Sequence, residues 1–398
     1  MRRALGLVVG VVLALALMLS PLSDSAVGAL ARQRNPEVRS VRVLNYESPG
    51  RRELTTDLYR RAITGTPEDV TSLYVMGSSE FGVPVEQNPS RWLQANANDF
   101  DMYESGRGYQ QSLYHAIELA AVEPALRSPK VALLVSPQWF TPGGIKAGAF
   151  QSVFSYHAWH AMLDNPRLPA ELRQRVAERT GELMPELCTL RADCSTTATG
   201  TFKEIVDTPY TAVSNRMAVL RETYKATDYR KAVSYTGAWS PGAGPMSAID
   251  WEAQRRRADE IGRSRVTNNP YGLDDGYFDR RIRDYETQLV GQEKGVRYTE
   301  STEYDDLQLF LDVAKALGVE VLLVSMPVNG PWSDHTGLPV AERTGEAARI
   351  RDIAGRNGVK LVDLTTQAYT PYYFFDTIHL GWRGWLDVTE ACWRFARA

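Results

Sequence analysis

Four short, mainly apolar runs punctuate the chain: SLYVMG at 72–77, KVALLVSP at 130–137, VEVLLVSMP at 319–327 and VKLVDLT at 359–365. Each is rich in β-branched residues and leucine and lacks the in–out alternation of a half-solvated strand, the pattern expected of strands covered on both faces. Around them the period changes. TEYDDLQLFLDVAKALG at 302–318 and AERTGEAARIRDIAGRNG at 341–358 place their apolar residues at helical spacing and end on glycine. Strand, helix and strand in alternation predict an α/β fold built on a doubly wound, mostly parallel sheet.

Residues from about 150 to 300 break this rhythm. They hold charged helical patterns, ELRQRVAERTGELMPEL and SNRMAVLRETYKATDYRK, and no buried-strand run, so the segment is expected to be a helical insertion packed on the sheet. SYTGAWSPGAGPMSA at 234–248 has the composition of a loop.

The first 31 residues carry the compartment signal. A basic MRR precedes ALGLVVGVVLALALML, which has no charge. Two outcomes fit: a membrane-spanning anchor, or a signal peptide cleaved near ALA at 29–31. Either carries residues 32–398 across the membrane as one extracytoplasmic domain, because the basic end stays inside. The anchor is the expectation, giving a single-pass protein of the cell membrane. Outside the cytoplasm Cys188 and Cys194 are free either to pair or to remain thiols.

Composition adds exclusions. With a formal net charge of −3, nothing global points to nucleic acid. No Cys/His spacing resembles a zinc site, and no metal or cofactor is expected. The arginine clusters at 255–257 and 280–283 are read as solvated helix faces rather than a polyanion cradle.

In open α/β sheets, chemistry collects at the carboxyl ends of the strands. GSSE follows the first run, SPQWF the second and SMPVNG the third, and beyond the fourth lies YYFFDTIHLGWRGW at 372–385. There Asp376 precedes His379 by three residues, close enough for its carboxylate to accept the imidazole Nδ1–H and leave Nε2 to take a proton from a serine. Charge developing on a carbonyl oxygen would need donors. The Ser79 N–H, the N–H of Gly106 or Gly108, and the Gln138 amide are the candidates. Glu80 is expected to satisfy a helix N-terminus rather than act as a base. Trp139, Phe140, Trp382 and Trp385 are expected to pack around the site.

A strand-end serine early in the chain and D-x-x-H near its end resemble the order of the SGNH hydrolases. Their Gly-Asp-Ser block, matched onto Gly77, Ser78 and Ser79, makes Ser79 the nucleophile, and their asparagine donor corresponds to Gln138. More specifically MGSSE, GRGYQQSL, SPQWFTPGG and DTIHLGWRGW, behind an apolar N-terminus, resemble the DltD family of Gram-positive bacteria, which acts late in the D-alanylation of teichoic acids. The resemblance implies a catalytic Ser79, His379 and Asp376, a teichoic acid acceptor, and as partners a membrane O-acyltransferase and the pathway's D-alanyl carrier. Two other functions fit the same residues: an SGNH esterase or O-acetyltransferase of cell-wall polysaccharide, and a polymer-binding subunit without catalysis.

Overall fold

The computed structural model describes residues 63–64, 66–188, 217 and 243–398. The apolar N-terminus, Cys194 and nearly all of SNRMAVLRETYKATDYRK lie outside the described residues, as do the expectations that rest on them. Among the described residues, no helix is long and apolar enough to cross a membrane.

Five strands form one sheet in the order β2-β1-β3-β4-β5: β1 (Thr71–Gly77), β2 (Phe100–Gly106), β3 (Lys130–Val135), β4 (Glu320–Ser325) and β5 (Lys360–Asp363). Every adjacent pair is parallel. Eleven helices concern us in chain order: α1 (Pro89–Asn96), α2 (Ser112–Val122), α3 (Ala147–Val153), α4 (Tyr156–Leu163), α5 (Ala170–Leu183), α6 (Trp251–Arg265), α7 (Asp275–Arg281), α8 (Glu303–Ala316), α9 (Gly330–Thr336), α10 (Val340–Asn357) and α11 (Trp382–Arg397).

The pleat sorts each strand's side chains between two cores. Tyr74, Met76, Val131, Leu133, Val321 and Leu323 meet α2, α4, α5, α8 and α10 on one face. Leu73, Val75, Ala132, Leu134, Leu322 and Val324 meet α1, α6 and α11 on the other. This double cover is why the central runs read as continuously apolar.

Two features depart from the sequence expectation. β2 was not foreseen, because its sequence FDMYESG interleaves Asp101, Glu104 and Ser105 with the apolar residues. All seven of its residues are nonetheless buried, and Ser105 is satisfied there by donating to Glu118 of α2 at 2.6 Å. β5 is at the sheet edge and only half-buried, not covered like the central strands.

Between β3 and β4 the described residues hold helices and no strand. α5 is fastened to α8 by a two-pronged pair from Arg179 to Asp306, at 2.8 and 3.0 Å.

Candidate active site

The chain runs from β1 outward to β2, then crosses back to place β3 on the other side of β1. This reversal leaves a crevice at the carboxyl ends of β1 and β3, where open α/β sheets bind their ligands. Ser79 leaves β1 at that point in a short 3-10 turn, Ser79–Gly82. Gln138 leaves β3 in another, Pro137–Trp139.

The nucleophile turn is fixed from several sides. Glu80 is buried, and its carboxylate accepts the Ser78 N–H and the Ser136 hydroxyl, tying the end of β1 to the end of β3. The expectation that Glu80 serves structure holds, although its partners are a neighbouring N–H and another strand's serine. Ser78 Oγ donates to the Arg107 carbonyl at 3.0 Å, drawing the loop after β2 against the turn. Phe81 stacks on Trp385 at 5.8 Å between ring centres.

His379 reaches Ser79 across 300 residues of chain, with Nε2 2.8 Å from the Ser79 Oγ. Its Nδ1 lies 2.8 Å from Asp376 Oδ2. The other Asp376 oxygen accepts the backbone N–H groups of Ile378 and His379 at 2.9 and 2.7 Å. The carboxylate therefore orients both the ring and the loop that carries it. That loop closes on itself through Phe375 N–H to His379 O at 3.0 Å and Gly381 N–H to Tyr373 O at 2.7 Å. A Cβ at Gly381 would come within 2.6 Å of the Phe374 carbonyl, so only glycine lets α11 start so close beneath it.

Burial opposes a charged imidazole at His379. The hydrogen bond and charge of Asp376, aided by the charge of Glu80, outweigh it and hold the pKa above the usual histidine value. Asp376 thus stabilises the imidazolium relative to a ring without that partner, as required of a group that must hold a proton midway through a reaction. The His379 side chain stays 19% exposed, so a reactant can approach it.

The other sequence candidates distribute as follows. Gln138 is half-buried, and its amide makes no hydrogen bond to the described residues. Gly106 pairs with Gly77 in the ladder, and a Cβ there would lie 2.6–2.7 Å from Phe81 and the Gly77 carbonyl carbon, so its lack of a side chain is a packing requirement. Gly108 lies in the loop that Arg107 holds to Ser78, with nothing within 4 Å of where its Cβ would be. Trp139, Phe140, Trp382 and Trp385 are buried and pack.

Arg255 is not on a solvated face: it bridges Asp387 at 2.9 Å and also Glu390, locking α6 to α11. Arg256, Arg257, Arg280, Arg281 and Arg283 are exposed.

These features define the chain as a doubly wound α/β protein with a hydrogen-bonded serine, histidine and aspartate at the switch point of its sheet. The chain belongs to the DltD family, whose model, described as DltD protein, matches residues 55–397. It is similar to Protein DltD of Bacillus subtilis strain 168, with 29% identity over 81% of this chain and 82% of that protein. Protein DltD of Staphylococcus aureus strain NCTC 8325 / PS 47 is 28% identical over 79% of this chain and 78% of its own. Protein DltD of Lacticaseibacillus rhamnosus is 27% identical over 79% and 75%.

Proposed function

We propose that this chain acts in teichoic acid D-alanylation as a serine-dependent acyltransferase, with Ser79 as nucleophile, His379 as general base and acid, and Asp376 as the group that orients and stabilises the imidazole. In the first half-reaction the Ser79 hydroxyl gives its proton to His379 Nε2. Its oxygen bonds to the carbonyl carbon of an activated D-alanyl group, and the leaving group takes the proton from His379. In the second, an acceptor hydroxyl of the polymer gives its proton to His379 and attacks the seryl ester, and Ser79 recovers a proton as it leaves. Each carbonyl oxygen passes through an anionic stage. The Ser79 N–H, the Gln138 amide and the Gly108 N–H are assigned to that oxygen, with Gly106 acting mainly through packing. A preorganised donor of this kind supplies roughly 3–4 kcal/mol of barrier lowering.

The observation that carries this reading is the line from Ser79 Oγ through His379 to Asp376, two contacts of 2.8 Å each, in a member of the DltD family. The SGNH-like role of Gln138 rests on its place at the end of β3 and its uncommitted amide. The apolar N-terminus is assigned as a membrane anchor that keeps the site outside the cytoplasm, beside a membrane O-acyltransferase that delivers D-alanine from its carrier.

The test is the D-alanine ester content of teichoic acid in cells whose only copy carries Ser79→Ala, together with intact mass of the wild-type protein after exposure to donor. Loss of the esters and a D-alanyl adduct on wild type are expected. Full ester content in the Ser79→Ala strain would make the chain a scaffold, and an acetyl adduct would make it an O-acetyltransferase.

A further inference from the structure

A second histidine lies on the inner side of the nucleophile turn. His115, in the first half of α2, is completely buried. Its Nε2 is 2.8 Å from the carbonyl oxygen of Gly77, two residues before Ser79. That carbonyl is the last of β1, where the β1–β2 pairing ends with Gly77 and Gly106. On the other side of the ring, Nδ1 lies 3.1 Å from Glu118 Oε2, and Glu118 Oε1 accepts the Ser105 hydroxyl at 2.6 Å. The ring also lies against Trp139, 6.1 Å between centres, in the turn that carries Gln138.

The protons on this unit follow from its partners. A carbonyl oxygen only accepts, so Nε2 must carry a hydrogen. Nδ1 and the Glu118 oxygen would be two acceptors face to face unless a proton lay between them. Whichever of the two holds it, the pair has no net charge, which makes it tolerable in a dry core. With both nitrogens committed the ring has one orientation, and it touches all three elements that bear candidate oxyanion donors: the end of β1, the end of β2 through Glu118 and Ser105, and the turn after β3.

We propose that His115 is a positioning residue for the acyl transfer at Ser79: by holding the Gly77 carbonyl it sets the direction of the backbone entering the Ser78–Ser79 turn, and with it the Ser79 N–H and hydroxyl. This rests on the acyl-transfer reading of the site. His115 touches no reactant. Its effect falls on the bond-forming step and leaves the binding of small reactants unchanged, because misplacing a donor or nucleophile by an ångström costs on the order of 10²-fold in rate.

The test measures phosphonylation of Ser79 in the full chain by an alkyl fluorophosphonate, followed by intact mass. The serine oxygen bonds to phosphorus, fluoride leaves, and His379 takes the hydroxyl proton. The maximal rate and the half-saturating probe concentration are read separately, and a thermal midpoint reports folding. His115→Gln, whose amide N–H can reach the Gly77 oxygen, should keep the maximal rate within about threefold. His115→Asn, one methylene too short, should lose roughly 10- to 100-fold at unchanged half-saturation. His115→Leu should match it if it folds, and if it does not, the Gln and Asn pair decides. Folded His115→Asn at the wild-type rate, or folded His115→Gln as slow as Asn, overturns the proposal. The reading beneath it fails separately: wild-type protein that is not labelled, or a Ser79→Ala chain labelled equally, removes the nucleophile whatever His115 does.

Discussion

Two histidine–carboxylate pairs bracket the same turn. Asp376 and His379 lie in a loop on its outer side, and His115 and Glu118 lie in a helix on its inner side. Both are three residues apart, both present Nδ1 to a carboxylate, at 2.8 and 3.1 Å, and both aim Nε2 at an atom of the turn or of the β1 residue that leads into it, at 2.8 Å in each case. They differ in what Nε2 meets. His379 meets a hydroxyl, which has a proton to give, and is partly exposed. His115 meets a carbonyl, which has none, and is sealed. On the proposed reading, a histidine and a carboxylate at this spacing make a base or a brace according to the partner atom and the access of reactants.

The comparison breaks most sharply at the outer pair. Ser79→Ala and His379→Ala should each lower transfer on the order of 10⁵- to 10⁶-fold, and the double variant should be no worse than either, since nucleophile and base act as one unit. Losses that multiply, measured as ester formed per enzyme with the fold checked by circular dichroism, would separate the two residues.

Asp376→Asn comes next, at about 10³- to 10⁴-fold, because an amide no longer enforces the tautomer with Nε2 free to accept. It should also move the pH profile. The base form of His379 is lost as pH falls through its raised pKa, so the acid limb of the wild-type rate should lie above the ~6.5 of an unperturbed histidine. In the variant burial works with less opposition, and the limb should move down. A limb that does not move would leave His379 uncoupled from Asp376. For stability the sign is that of a raised histidine: the contribution is complete below the unfolded value and fades as pH rises through the folded one.

Gln138→Ala should cost roughly 10²-fold in turnover with little change in reactant affinity, as for a lost oxyanion donor. A change confined to affinity would reassign the amide to binding.

The smallest effect is expected at Ser78→Ala, which removes one hydrogen bond to Arg107 O and so about 0.5–1.5 kcal/mol of stability, read from a denaturant midpoint. Turnover should stay within about tenfold. A dead Ser78→Ala beside an active Ser79→Ala would shift the nucleophile by one residue.

The sequence by itself determined the central strands, because a strand covered on both faces must be apolar at every position, and composition records that directly. It determined α8 and α10 through their helical period, and it marked Ser79, Asp376 and His379, because strand ends and a three-residue spacing are local properties. It did not disclose β2, whose Asp101, Glu104 and Ser105 are buried with the apolar residues beside them. It did not disclose that Glu80 joins β1 to β3, or that Arg255 joins α6 to α11. HAIE at 115–118 has the same three-residue spacing in the opposite order, and its four residues do not say what the imidazole faces. Only the tertiary structure decided what each ring faces. It brought the Ser79 hydroxyl to one imidazole over 300 residues of chain and the Gly77 carbonyl to the other over 38. Which atom a ring nitrogen faces is set by sheet order and helix packing, and those are properties of the whole chain.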